Sequence, residues 1–506
     1  MLNAPLSAGA DPASPVLPDP VASGIRRIRV RLDPLRLWRW QLWLLDALAA
    51  RPGLAVEVEP VPGRPYPAAL RLLLALERPI FRLTGAQAAD LLDPEALPGA
   101  WLGPQGIPDR TIDLTGAPGG GALSPLYDGE AGDEALIGAI LEDRAVRLSF
   151  AGASPALGPD LRPAIESRTV LTRALNRVFS TVLSLCLAEA GRRPASAGGG
   201  AGAPERPIGA GAVAAFAAAT LARKAGDRLT GLCVRATRWR VGWRQLAHAD
   251  DFLGLTRRLP ETGYAVLPDD GRRYYADPFP FSAQGRRWLF VEEYCYARQK
   301  GLIAVAEVAE GRIGPVRPVL EEPHHLSYPF VFAHEGAVFM IPESSACGRV
   351  ELYRARRLPD SWERVAVLLD GIAASDVTLT RADGLWWMFA GTHPYQASVR
   401  DTLSLFHAPD LLGPWTPHPL NPVVVDLRQA RPGGQCFRID GTLWRPVQDA
   451  TDGYGSALGL CRVDDLTPLT YRQTLAATIR PGPAWARDGL HTLNRDGLFE
   501  VVDGMF

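Results

Sequence analysis

Three carboxylates stand in otherwise apolar runs of the second half of the chain: Asp277 in "YYADPFPF", Glu343 in "FMIPESS" and Asp376 in "SDVTLT". A strand about to be buried normally excludes such groups, because an unpaired carboxylate is costly to desolvate or takes up a proton. Each is therefore either paired or used. Two carboxyls facing one cavity suit glycoside chemistry, in which one protonates the leaving oxygen while the other activates water or attacks the anomeric carbon. A third raises the acid's pKa by like-charge repulsion. On this reading Asp277 is base or nucleophile, Glu343 the acid and Asp376 the modulator. The alternative is that these acids bond to neighbouring amides and arginines and only hold the fold together.

The elements that must bring them together form an internal repeat. "ADPFPFSAQGRRWLFVEEY", "SYPFVFAHEGAVFMIPESS" and "SDVTLTRADGLWWMFAGT" each run small residue, apolar strand, turn ending in glycine, apolar strand. "PGGQCFRIDGTLWRPVQD" and "GLHTLNRDGLFEVVDG" repeat the pattern, so the turn glycines are Gly285, Gly336, Gly384, Gly441 and Gly497. Spacing near the ~50 residues of a kelch-sized unit predicts a five-bladed β-propeller over 236–506. The strand-like "ATRWRVGWRQL" before the first unit is expected to close the last blade. First strands of blades line the central channel, so Asp277, Tyr328 and Asp376 are expected to converge. Glu292, Glu293, Arg431, Arg445, Asp449 and His491 are expected nearby, with Tyr328, Arg431, Arg445, Asp449 and His491 orienting sugar hydroxyls or an anionic group.

The first half differs in texture. A strand-like "IRRIRVRLD", a helical "LRLWRWQLWLLDALAA" and a strand-like "GLAVEVEPV" predict a βαβ unit in a Rossmann-like α/β domain over 24–191, with Trp38, Trp40 and Trp43 packing a helix face on a sheet. Residues 1–23 read as a disordered leader without signal-peptide character. Residues 192–211, rich in Gly, Ala and Pro, read as a linker. A connecting helix is expected within 212–235, its core at Ala212–Ala225.

Totals bound the function. With 54 basic and 55 acidic residues and a net charge of -1 over 506 residues, nothing favours a nucleic-acid partner. No apolar run is expected to span a bilayer, and the chain reads as cytoplasmic. Six cysteines stand singly and eight histidines show no H-x-x-x-H or H-E-x-x-H spacing, so no zinc ribbon or catalytic zinc is expected. The expected cofactor set is none, with a channel-bound calcium ion left open.

The ordered motifs "YYADPFPF", "EEPHHLSYPFVF", "MIPESS", "SDVTLT", "GPWTPHPLNPVVVD", "ARPGG", "RPVQD" and "HTLN" resemble the glycosidase-like propeller at the N-terminal side of plant glucosamine inositolphosphorylceramide transferases. That propeller is similar to the five-bladed folds of glycoside hydrolase families 43, 32 and 117. The resemblance implies a base or nucleophile Asp on the first blade, matching Asp277. It implies an acid Glu and a pKa-tuning Asp on later blades, for which Glu343 and Asp376 stand nearest. The plant proteins carry a separate C-terminal glycosyltransferase domain, whose activity is not expected of the residues present here. The first half resembles a diverged formyltransferase domain. Formyl transfer needs an Asn, a His and an Asp, and the first histidine of the chain is His248, so a scaffolding or binding role is expected instead.

The resulting expectation is a two-domain protein handling a glycan or glycoconjugate in an acidic funnel by hydrolysis or glycosyl transfer. The rival is a non-catalytic glycan-binding or assembly module in envelope polysaccharide or glycolipid synthesis, because binding and cleavage of sugars use the same residue types.

Overall fold

The computed structural model describes residues 24–102, 106–117, 120–155, 157–192, 207–233, 239–309, 311–483 and 485–506. The expected leader and residues 193–206 of the expected linker lie outside them. The described residues form two compact units, one of 24–233 with His393–Ser398, the other of 239–392 with 399–506.

In the first unit β1 (Arg27–Leu32), α1 (Arg39–Ala49), β2 (Ala55–Pro60), α2 (Ala68–Ile80) and β3 (Arg110–Asp113) build a parallel sheet of order β2-β1-β3. Strand β1 alternates as a half-buried strand must: Ile28, Val30 and Leu32 are buried, and Arg29 and Arg31 reach Glu57 and Glu59 on the neighbouring strand. Strands β4 (Ser124–Tyr127), β5 (Glu130–Ala131) and β6 (Leu148–Ala151) form an antiparallel sheet of order β5-β4-β6, with α3 (Asp133–Leu141) following β5. Helix α4 (Leu171–Ala190) is buried along nearly its whole length. Trp38 and Trp40 pack on its Phe179 at ring separations of 5.1 and 5.7 Å. Helix α5 (Ala210–Cys233) starts two residues before the expected connecting helix and runs past its expected core. No described helix is long and apolar enough to cross a membrane.

The second unit is mostly β-sheet. Among the described residues five antiparallel sheets follow one another, each opening on a hairpin of the repeat: Arg273–Ala283 with Arg286–Cys295, Ser327–His334 with Ala337–Glu343, Ala374–Ala382 with Leu385–Thr392, Phe437–Ile439 with Thr442–Asp449, and Leu493–Asp496 with Phe499–Met505. The strand expected before the first unit runs Trp239–Gln245 and pairs with Phe499–Met505, so residues from the two ends of the unit share its fifth sheet. Four hairpins turn on a residue and a glycine that both have positive φ: Gln284–Gly285, Glu335–Gly336, Asp383–Gly384 and Asp440–Gly441. This geometry matches the right-handed twist of the flanking strands, and glycine adopts it without a Cβ penalty.

Apolar packing lies between successive sheets. Leu289, Val291 and Ala304 of the first meet Val241, Phe499 and Val501 of the fifth, and Leu458, Leu460 and Ile479 of the fourth meet Leu493 and Val502 of the fifth. Polar groups are thereby left to the starts of the first strands and the ends of the second.

Candidate functional site

Asp277, Tyr328 and Asp376 each lie eight residues before their turn glycine, and all three have left-handed backbone, with φ of 48°, 43° and 51°. Aspartate tolerates this region; a bulky tyrosine there is strained and held by its surroundings. At each position the pairing with the second strand slips, between Phe290 and Glu292, between Ser327 and Phe330, and between Ser375 and Thr378. Such a bulge re-aims the side chain and frees the backbone N–H from the ladder.

The freed N–H groups, together with Arg431, Gln435 and Asn494, link the five sheets through hydrogen bonds. Tyr328 N–H donates to Asp277 Oδ2 at 3.2 Å, linking the second sheet to the first. Asp376 N–H donates to Glu343 Oε2 at 3.3 Å, linking third to second, and Arg431 Nε donates to Asp376 Oδ2. Gln435 N–H donates to Asn494 Oδ1 at 2.7 Å, and Asn494 Nδ2 donates to Pro278 O at 2.9 Å, returning to the first sheet. The Asp277 N–H also donates to Asp503 Oδ2 at 3.0 Å.

Two clusters of charge sit on this circuit. In one, His491 Nδ1 lies 2.7 Å from Asp503 Oδ1 and Nε2 lies 3.4 Å from Asp277 Oδ1. In the other, Arg431 pairs with Asp376 and lies 3.7 Å from Glu343, while Gln448 Nε2 donates to Asp376 at 2.7 Å. Tyr454 joins them: the Arg431 guanidinium lies 5.1 Å from its ring centroid, and the His491 ring 5.5 Å away. Trp239 covers His491 at 4.0 Å.

Burial decides the electrostatics. Asp277, Glu292, Asp376 and Asp503 are 5%, 5%, 2% and 0% exposed, whereas the Glu343 side chain keeps 12%. Desolvation, with repulsion from Asp503 and Asp376, raises Asp277 to about 7 against the pull of His491 and Arg431. Desolvation, with repulsion from Asp376, raises Glu343 to about 8. Glu292 is pushed well above the carboxylate range by burial and by Asp277, Glu343, Asp503 and Asp376. Burial opposes charge on His491, yet Asp503 and Asp277 outweigh it and raise its pKa. Beside Glu292, His325 accepts the Gly301 N–H on Nδ1 at 2.9 Å, so in the neutral ring Nε2 carries the proton and faces Glu292 Oε1 at 3.3 Å. Burial, then His324, lowers His325 to about 4 and keeps it neutral.

The structure thus brings together Asp277, Glu343, Asp376, Arg431 and His491, and Tyr328 contributes its N–H. The Tyr328 hydroxyl instead contacts Thr378 Oγ1 at 2.9 Å and accepts the Gly434 N–H at 2.7 Å. Three expected residues are placed elsewhere, and this corrects their expected location. Glu293 pairs with Arg273 at 2.6 Å, Asp449 accepts from the Thr451 N–H at 2.9 Å, and Arg445 stacks 4.6 Å from the Phe389 ring centroid while bonding Gln473. The reason is strand parity. Glu292, Glu343 and Gln448 all lie seven residues after their turn glycine, and a neighbour one or three positions away faces the opposite side. Counting from the glycines points to Glu292 and Gln448 in place of Glu293 and Asp449. Asp503, within the strand Phe499–Met505, lies six residues after its turn glycine and is not found by this count; Tyr454 and Trp239 carry no such signal either.

Residues 267–487 match the family described as glucosamine inositolphosphorylceramide transferase 1, N-terminal. Glucosamine inositolphosphorylceramide transferase 1 of Oryza sativa subsp. japonica is 34% identical over 205 residues, 40% of this chain and 27% of that protein. Its Arabidopsis thaliana namesake is 33% identical over the same length, and again 27% of the relative is spanned. Among solved structures, the family 117 glycoside hydrolase Zg3597 of Zobellia galactanivorans aligns over 53% of this chain and 90% of its own, at 14% identity and a TM-score of 0.34. The catalytic domain of a GH62 α-L-arabinofuranosidase from Coprinopsis cinerea aligns over 51% and 85%, at 14% identity and a TM-score of 0.37.

Proposed function

We propose that the second unit is a five-bladed propeller that acts on a glycan or glycoconjugate at the carboxylate circuit, by hydrolysis or glycosyl transfer. The observation that carries this reading is the pairing of two unlike carboxyls, Asp277 beside the His491–Asp503 pair and Glu343 beside the Asp376–Arg431 pair. The match to the family of a glycosyl-transferring protein supports the substrate class.

Glu343, neutral at pH 7 and the more accessible of the two, gives its proton to the glycosidic oxygen as the bond to the anomeric carbon breaks. Asp277 takes a proton from the incoming water or acceptor hydroxyl, or attacks that carbon itself. Asp376, held by Arg431 and Gln448, supplies the charge that keeps Glu343 protonated. The first unit serves as a scaffold or binding domain.

Burial of Asp277, Glu292 and Asp376 favours a second reading, a glycan-binding or assembly module without turnover. Incubating the full chain with a panel of oligosaccharides and aryl glycosides separates the two. Consumption of a saccharide by the wild type, lost by about 10²-fold or more in Asp277→Asn with binding retained, is the expected result. A saccharide bound and recovered intact after hours selects the binding module, and turnover unchanged in Asp277→Asn removes the catalytic assignment.

A further inference from the structure

Apart from the carboxylate circuit, three side chains from separate segments meet beside the second sheet. His324 precedes the strand Ser327–His334, Cys347 ends the turn Ser345–Cys347, and Glu351 lies in the strand Arg349–Arg357. One donor atom of each lies within 4.8 Å of the other two. We propose that His324, Cys347 and Glu351 bind a divalent transition-metal ion of the zinc type.

The donor set argues for the class of ion. Imidazole nitrogen, thiolate sulfur and carboxylate oxygen together suit zinc, whereas calcium and magnesium take oxygen ligands. A second observation points the same way. The Nε2 atom of His324 is buried and meets no hydrogen-bond partner among the described residues, an arrangement native proteins avoid unless a ligand supplies the contact.

The surroundings hold the ligands in place. Glu351 accepts from Arg364 Nη1 at 2.5 Å and from the Tyr353 hydroxyl at 2.9 Å, which fixes its carboxylate and leaves oxygen lone pairs for an ion. The Cys347 N–H bonds Ser344 O at 2.9 Å, and Gly348, at φ 67°, reverses the chain into the strand that carries Glu351. His324 and Cys347 are half-buried, so an ion has a path in and a fourth position stays open to water. Sequence spacing hides the set, because its members come from a loop, a turn and a strand.

The site is independent of the glycan reading, and cobalt(II) tests it directly. Titrating the full chain with Co²⁺ is expected to give a thiolate-to-cobalt charge-transfer band that saturates at one equivalent and disappears when Zn²⁺ is added. Cys347→Ala is expected to abolish the band, and Tyr353→Phe to weaken binding by about 10-fold. In the wild type, Zn²⁺ is expected to slow alkylation of Cys347, followed by peptide mass spectrometry, a readout that needs no variant to fold. A wild type without the band, a band that survives in Cys347→Ala, or a Cys347 labelled equally fast with and without Zn²⁺ overturns the proposal.

Discussion

The Nε2 atom of His491 lies 3.4 Å from Oδ1 of Asp277, and the other ring nitrogen is held by Asp503. The fifth sheet thus supplies both the partner of the first sheet's carboxylate and the group that orients that partner. Asp503 also accepts the backbone N–H groups of Asp277, His491 and Thr492 at 3.0, 3.3 and 2.9 Å. Replacing it with alanine strands all of these in a dry site. Asp503→Ala is expected to lower stability by about 3–5 kcal/mol, read from urea midpoints. A loss below ~1 kcal/mol would show that the circuit does not hold the sheets together.

Arg431 is the shared cation of Asp376 and Glu343. Arg431→Met leaves both carboxyls without a cation in a desolvated site. The cost is expected to be about 3–5 kcal/mol and to grow as the pH rises through the Glu343 value of about 8, where that acid becomes charged as well. A deficit in melting temperature that does not change with pH contradicts the pairing.

Titration of the cluster sets a sign for the pH dependence of the whole unit. With Asp277 raised to about 7 and Glu343 to about 8, the folded state keeps protons that the unfolded chain releases near pH 4. Stability is therefore greatest below that release and falls as pH rises through the folded values, by up to ~1.4 kcal/mol per unit for each group. His491, also raised, adds to the fall. His325, lowered to about 4, acts oppositely between that value and about 6.5, so the net decline is clearest above pH 6.5. Melting curves from pH 6.5 to 9 should show the decline, with a shallower slope in Glu343→Gln; identical slopes would remove Glu343 from the titrating set.

Gly301 is required by close approach and not by its dihedral. A Cβ there would lie 2.6 Å from His325 Cε1, 2.6 Å from Leu326 O and 2.7 Å from Glu292 Oε1. Gly301→Ala is expected to cost about 1–3 kcal/mol and to displace His325 from Glu292. At Gly336, where a Cβ meets nothing within 4 Å, alanine is expected to cost only the ~1 kcal/mol of a left-handed residue. Thermal melts that rank the two variants in the opposite order would refute the distinction.

The sequence by itself determined the hairpins and their period. Alternating apolar residues specify strands, and a glycine at each turn is demanded by a backbone most residues avoid, so both are local and repeat visibly. It also marked Asp277, Glu343 and Asp376, since a carboxylate inside an apolar strand needs an explanation wherever the strand goes. Only the tertiary structure decided which groups meet them. Glu292 and not Glu293 faces the charge cluster, and although counting from the turn glycine separates the two, only the fold shows which parity faces the cluster. Asp503 reaches Asp277 across 226 positions of chain, and Trp239 covers His491 because the first and last strands of the unit share a sheet. The protonation states likewise arise from burial and from charges on other sheets, because desolvation and Coulomb energy depend on distance in space and not on separation along the chain.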